Sequence, residues 1–69
     1  MMMKLSIGEM IIGEKYWLDS TECVYGILES IDDDFVCFKV DPLNNQDYIL
    51  DSNNLVWFPN NTYIYKPFN

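Results

Sequence analysis

The segments of this chain best suited to form strands are apolar on both of their faces. Along 35–40, Val36, Phe38 and Val40 alternate with Phe35, Cys37 and Lys39, and along 55–58 all four residues are apolar. A sheet with one wet side gives such a strand a single dry face, whereas a strongly bent sheet that closes on itself gives it two. The expected architecture is therefore a small all-β antiparallel barrel, partly open because 69 residues bury only about 60% of the surface of the unfolded chain.

The punctuation agrees with short strands. Strand-like runs at 14–18, 22–31, 35–40, 47–51, 55–58 and 62–66 are separated by Asp19-Ser20-Thr21, Asp32-Asp33-Asp34, the Asn-rich stretch 42–46, the 51–54 turn and Pro59-Asn60-Asn61. Segment 47–51 alternates strictly, with Asp47 and Asp51 outward and Tyr48 and Leu50 inward. Gly26 lies mid-way along the longest run, where a missing side chain lets a strand bend and serve both halves of a barrel. Residues 5–12 fit neither the helical nor the strand period, and Gly8 and Gly13 discourage a long helix. The chain thus reads as one domain, with 1–12 an N-terminal arm or edge strand and 13–67 the barrel.

Three features together resemble the Src-homology-3-like small barrels. They are the opening Ile-Gly-Glu-Lys-Tyr-Trp-Leu at 12–18, a long second strand with a central glycine, and a Pro-Asn-Asn turn before a short last strand. The resemblance covers 12–66 and implies a five-stranded, partly open barrel. The chain lacks the Ala-Leu-Tyr-Asp-Tyr stretch and the Trp-Trp pair of the signalling members, so no ligand-groove residue is carried over. Its compact, acidic, Asn- and Tyr-rich composition also resembles that of small bacteriophage proteins from low-GC hosts.

Charge narrows the chemistry. Eleven carboxylates face four lysines, with no histidine and no arginine, for a net charge of −7. The side chain that titrates near neutrality and the one that forks onto phosphate are both missing. Carboxylates alone make an enzyme only when an apolar cleft holds one protonated, and a chain this short has little room for one, so no catalysis and no cofactor are expected. The Asp32-Asp33-Asp34 run lacks the alternating spacing of a calcium loop, so no metal is expected there and the run reads as a hairpin turn. Excess negative charge repels nucleic acid and anionic lipid, and no apolar run reaches the roughly 20 residues that span a bilayer. A cytoplasmic protein is expected. If 22–31 and 35–41 form a hairpin, Cys37 faces residues 28–30 and stands about 17–23 Å from Cys23 along the ladder, beyond disulfide reach. Both thiols are expected to be reduced and buried.

The aromatic residues Trp17, Tyr25, Trp57, Phe58, Tyr63, Tyr65 and Phe68 exceed what so small a core can hold, and in the last strand either Tyr63 and Tyr65 or Thr62, Ile64 and Lys66 must face solvent. An exposed aromatic strip built from Trp17, Trp57, Tyr63 and Tyr65 is the expected docking surface. The carboxylates Asp19, Glu22, Asp32, Asp33, Asp34, Asp47 and Asp51 are expected to steer a protein partner with a basic surface. Residues 1–51 carry a charge of −8 and 52–69 a charge of +1, so the acidic and aromatic regions are expected to be separate. A protein-binding module or inhibitor is the function these features favour. The alternatives are a mimic that blocks a DNA- or RNA-binding enzyme, with Asp47 and Asp51 ~13 Å apart starting a phosphate-like row, and a component that self-associates through thinly protected strand edges. The chain itself is expected to be a monomer or weak homo-oligomer, with no membrane contact and no direct nucleic-acid binding.

Overall fold

The computed structural model describes residues 2–19, 21, 23–45 and 48–67; Glu22, Asp47 and Phe68 lie outside them. The fold is all-β and antiparallel. Strands β1 (Met2–Leu5), β2 (Lys15–Trp17), β3 (Tyr25–Ile31), β4 (Phe35–Lys39), β5 (Leu55–Pro59) and β6 (Ile64–Pro67) form one sheet in the order β1-β6-β2-β3-β4-β5. Two single 3₁₀ turns, Ile7–Glu9 and Pro42–Asn44, lie in the connections. Among the described residues no helix is long and apolar enough to cross a membrane.

The β3–β4 hairpin has the expected register, with Leu28 opposite Phe38, Ser30 opposite Cys37 and Ile31 opposite Val36. One bulge between Leu28 and Ser30 shifts the pairing by a residue, and this is the extra residue that carries Glu29. The hairpin turn is closed by Asp32, whose Oδ1 accepts the N–H groups of Asp34 (2.9 Å) and Phe35 (2.7 Å). A short aspartate side chain offers the backbone this bond two and three residues ahead, which is why a run of three acids makes a turn.

The sheet curls around one apolar cluster without closing. Leu5 and Ile64 from one end meet Val36 and Val56 from the other, with Tyr16, Leu28 and Phe38 between them. The inner face is completed by the connections: Met10 and Ile7 from the β1–β2 segment, Tyr48 and Leu50 from the β4–β5 segment. Tyr48 stands edge-on to Phe58 at 5.5 Å. The Tyr16 hydroxyl, at the cluster's edge, accepts the Ile11 N–H at 2.8 Å.

Three expectations need correction. The sheet has six strands, because the arm supplies β1, paired with β6 from Met2↔Pro67 to Leu5↔Ile64. Segment 47–51 contributes no strand: residues 48–50 are irregular. There the Asn45 side chain accepts the Tyr48 N–H (2.9 Å) and donates to the Tyr48 carbonyl (2.6 Å), satisfying locally the groups a ladder would use. Cys23 is exposed, since it precedes β3 in the turn that Asp19 organises, while Cys37 is buried as expected.

Candidate docking face

Strand alternation sorts every strand residue onto the inner or the outer face of the sheet. Ile64, Tyr16, Gly26, Leu28, Val36, Phe38 and Val56 are buried on the inner face. The outer face carries the alternate residues. In one cross-strand row it carries Lys4, Tyr65, Trp17 and Tyr25, each directly opposite the next across β1, β6, β2 and β3. The adjacent row is Lys15, Ile27, Lys39 and Leu55 across β2 to β5. Beyond these stand Trp57, Cys37 and Phe35; Trp57 is 48% exposed and Phe35 47%.

The rings are held in place by one another and by lysines. Trp17 and Tyr25 meet edge to face with centroids 5.2 Å apart. Lys15 Nζ lies 4.3 Å from the Tyr25 ring and 5.2 Å from that of Trp17, and Lys4 Nζ lies 4.1 Å from the ring of Tyr63, which is 50% exposed. Such cation–π contacts at exposed sites contribute about 0.5–1 kcal/mol each. Cys37, with Ser30 opposite on one side and Trp57 on the other, is buried between them. Burial, then the charges of Asp51 and Glu29, push the Cys37 thiol up, so it stays protonated at neutral pH.

Of the four rings expected to form an exposed strip, Trp57 and Tyr63 are about half exposed, whereas Trp17 and Tyr65 are partly buried. Trp17 and Tyr65 lie side by side, Tyr63 stands near them beside Lys4, and Trp57 lies farther across the sheet on β5. Tyr25 joins Trp17 and Tyr65 in the row; its alternation with the buried Gly26 and Leu28 is the sequence signal that assigns it there. Three of the four lysines, Lys4, Lys15 and Lys39, share this face with the rings.

Most of the described carboxylates lie in the turns and connections between strands. Among the described residues Glu29 is the single acid within a strand. Asp19 Oδ1 accepts the Thr21 N–H (3.0 Å) and hydroxyl (2.8 Å), and Asp51 Oδ1 accepts the N–H groups of Asn53 (2.8 Å) and Leu55 (3.0 Å). Asp41 does the same for Leu43 at 3.0 Å. Asp19, Asp32 and Asp51 thus close turns. Asp33 and Asp34 are exposed at the β3–β4 tip. The strand expected to carry Asp47 and Asp51 is absent at residues 48–50, and Asp47 lies outside the described residues.

These bonds set the acid limit of stability. Backbone N–H donors hold Asp32 (Phe35, then Asp34) and Asp51 (Leu55, then Asn53) below their ordinary value of 3.8. The folded chain therefore binds these protons more weakly than the unfolded chain. Their stabilisation is complete above the unfolded pKa and disappears as pH falls through the lower folded one. The urea midpoint is expected to be level above about pH 5 and to fall between about pH 4 and 2. Asp32→Ala with Asp51→Ala should lower the plateau and flatten that fall; an unchanged slope would show that the two turns do not set it.

No protein-family model matches the chain, and no curated protein and no solved structure matches it either.

Proposed function

We propose that this chain is a small protein-binding module or inhibitor that docks on its partner through the outer face of the sheet. The observation that carries the reading is a face of six strands on which the exposed Phe35, Trp57, Ile27, Lys4, Lys15 and Lys39 gather, in a protein of net charge −7 whose Asp19, Asp32, Asp41 and Asp51 close turns. Rings fixed by edge-to-face contact and by overlying ammonium groups lose little freedom on binding, and preorganisation of this kind raises affinity. The mixture of Ile27, Leu55 and Phe35 with tryptophan and tyrosine fits a protein surface better than a stack of bases. The acidic turns steer encounter with basic groups at the partner's rim, while Lys4, Lys15 and Lys39 meet acceptors nearer its centre.

The test compares variants against a partner retained from lysate on the immobilised chain. Trp57→Ser and Tyr63→Ser, both at half-exposed sites, are expected to weaken binding at least tenfold, about 1.4 kcal/mol each. Asp33→Asn with Asp34→Asn should slow association at low salt and change little at high salt. The reverse pattern, with binding abolished by salt or by the Asp variants and indifferent to Trp57 and Tyr63, would replace this reading with nucleic-acid mimicry.

A further inference from the structure

We propose that the β1 edge of the sheet accepts an extended segment of a partner protein, one that alternates apolar and acidic side chains. In antiparallel ladders the backbone groups of successive residues point to opposite neighbours. Glu14 and Leu18 bond to Leu28 and Val24 on the β3 side, so Trp17 points to β6 and its partner Tyr65 points back to β2. Ile64 and Lys66 then bond to Leu5 and Met3, which leaves the peptide groups of Met2 and Lys4 directed away from the sheet.

The opposite edge is closed by contrast. Val40 N–H bonds to the Asn54 carbonyl and Asn60 N–H to that of Asp34, so by the same alternation Leu55, Trp57 and Pro59 point outward from β5. Asp51 takes both groups of Leu55, through its own N–H and its Oδ1, and Pro59 has no N–H while its carbonyl accepts Thr62. Among the described residues only the Trp57 peptide still points outward unpaired on that edge. Thin edge protection was expected from the sequence, and β1 is the edge with the most outward-directed peptide groups among the described residues.

Side chains select the occupant. A strand added beyond β1 would place alternate residues beside Lys4 on the outer face and beside the half-buried Met3 and the buried Leu5 on the inner one. Carboxylates suit the first set and aliphatic groups the second. A second copy of this chain is a poor occupant, since pairing β1 with itself brings two Lys4 side chains together between two bodies of charge −7. The proposal rests on backbone groups at the edge and does not depend on the outer face being the docking surface.

The probe is an acetylated, amidated (Val-Glu)₄ peptide titrated into the ¹⁵N-labelled full chain, beside (Val-Lys)₄ and a (Val-Glu)₄ analogue N-methylated at alternate peptides. Saturable shifts centred on residues 2–6, at least tenfold slower amide exchange at Lys4, loss of both with the methylated analogue, and a reversed preference for (Val-Lys)₄ in Lys4→Glu are expected. Shifts confined to β5 or the outer face, equal binding of the methylated analogue, or no binding at millimolar peptide would each overturn the proposal.

Discussion

Gly26→Val should remove more than half of the protein's stability at 25 °C. A Cβ built on Gly26 would lie 2.9 Å from the Phe38 Cβ and 3.3 Å from both the Lys39 carbonyl oxygen and Val40 Cγ2. Side chains could yield, but β4 cannot retreat easily, because it is hydrogen-bonded to β3 on one side and β5 on the other. Valine adds two methyl groups beyond that Cβ in a fully packed region. Overpacking of this kind costs about 1–3 kcal/mol, and the backbone contact puts this site at the upper end. At about 0.05–0.15 kcal/mol per residue, a chain this short has a total stability on the order of 5 kcal/mol. Urea unfolding followed by tryptophan fluorescence should show a midpoint reduced by more than half, with Gly26→Ala intermediate. A midpoint near wild type for the valine variant would mean that β3 and β4 do not approach so closely.

The second large effect separates the two faces of one strand. Phe38 is fully buried and lies 6.0 Å from Phe58, whereas Phe35, three residues earlier, is on the outer face. Phe38→Ala is expected to cost about 3–5 kcal/mol, the transfer of the ring plus the cavity left behind. Phe35→Ala should stay within about 0.5 kcal/mol. Because strand side chains have a period of two, a slip of one residue in the register of β4 would exchange these costs. Equal destabilisation by the two variants would contradict the assignment of an unpacked outer face.

How far the sequence was legible depends on how local each signal is. Alternation in 22–31 and 35–40, with three aspartates between them, set the β3–β4 register to within the one-residue bulge, and so placed Cys37 opposite Ser30. Gly26 stood out as structural, and its close approach to β4 is a reason that only the three-dimensional packing reveals. The alternation of 47–51 had a different outcome: Tyr48 and Leu50 pack against the core, but from an irregular segment in which the Asn45 side chain meets both backbone groups of Tyr48. The two-faced apolar strands were read as a sign of closure. In the structure the second face of β4 and β5 stays outside, as Phe35 and Trp57, so the feature that suggested a barrel is the one that makes the candidate site. The gathering of Lys4, Lys15 and Lys39 onto that face was invisible beforehand, because it depends on the pairing of β1, β2 and β4 across a sheet whose order is not sequential.

Site-directed photocrosslinking tests the docking face most directly. A benzophenone side chain placed in turn at Phe35, Trp57 and Tyr63 on the outer side, and at Leu43 and Ile49 on the β4–β5 connection, is irradiated in complex with the partner. All five positions are well exposed, so the comparison is one of location and not of accessibility. Crosslinks to one protein from the three outer-face positions, with none from Leu43 or Ile49, are the predicted result. Crosslinks from Leu43 and Ile49 with none from the outer face would contradict it.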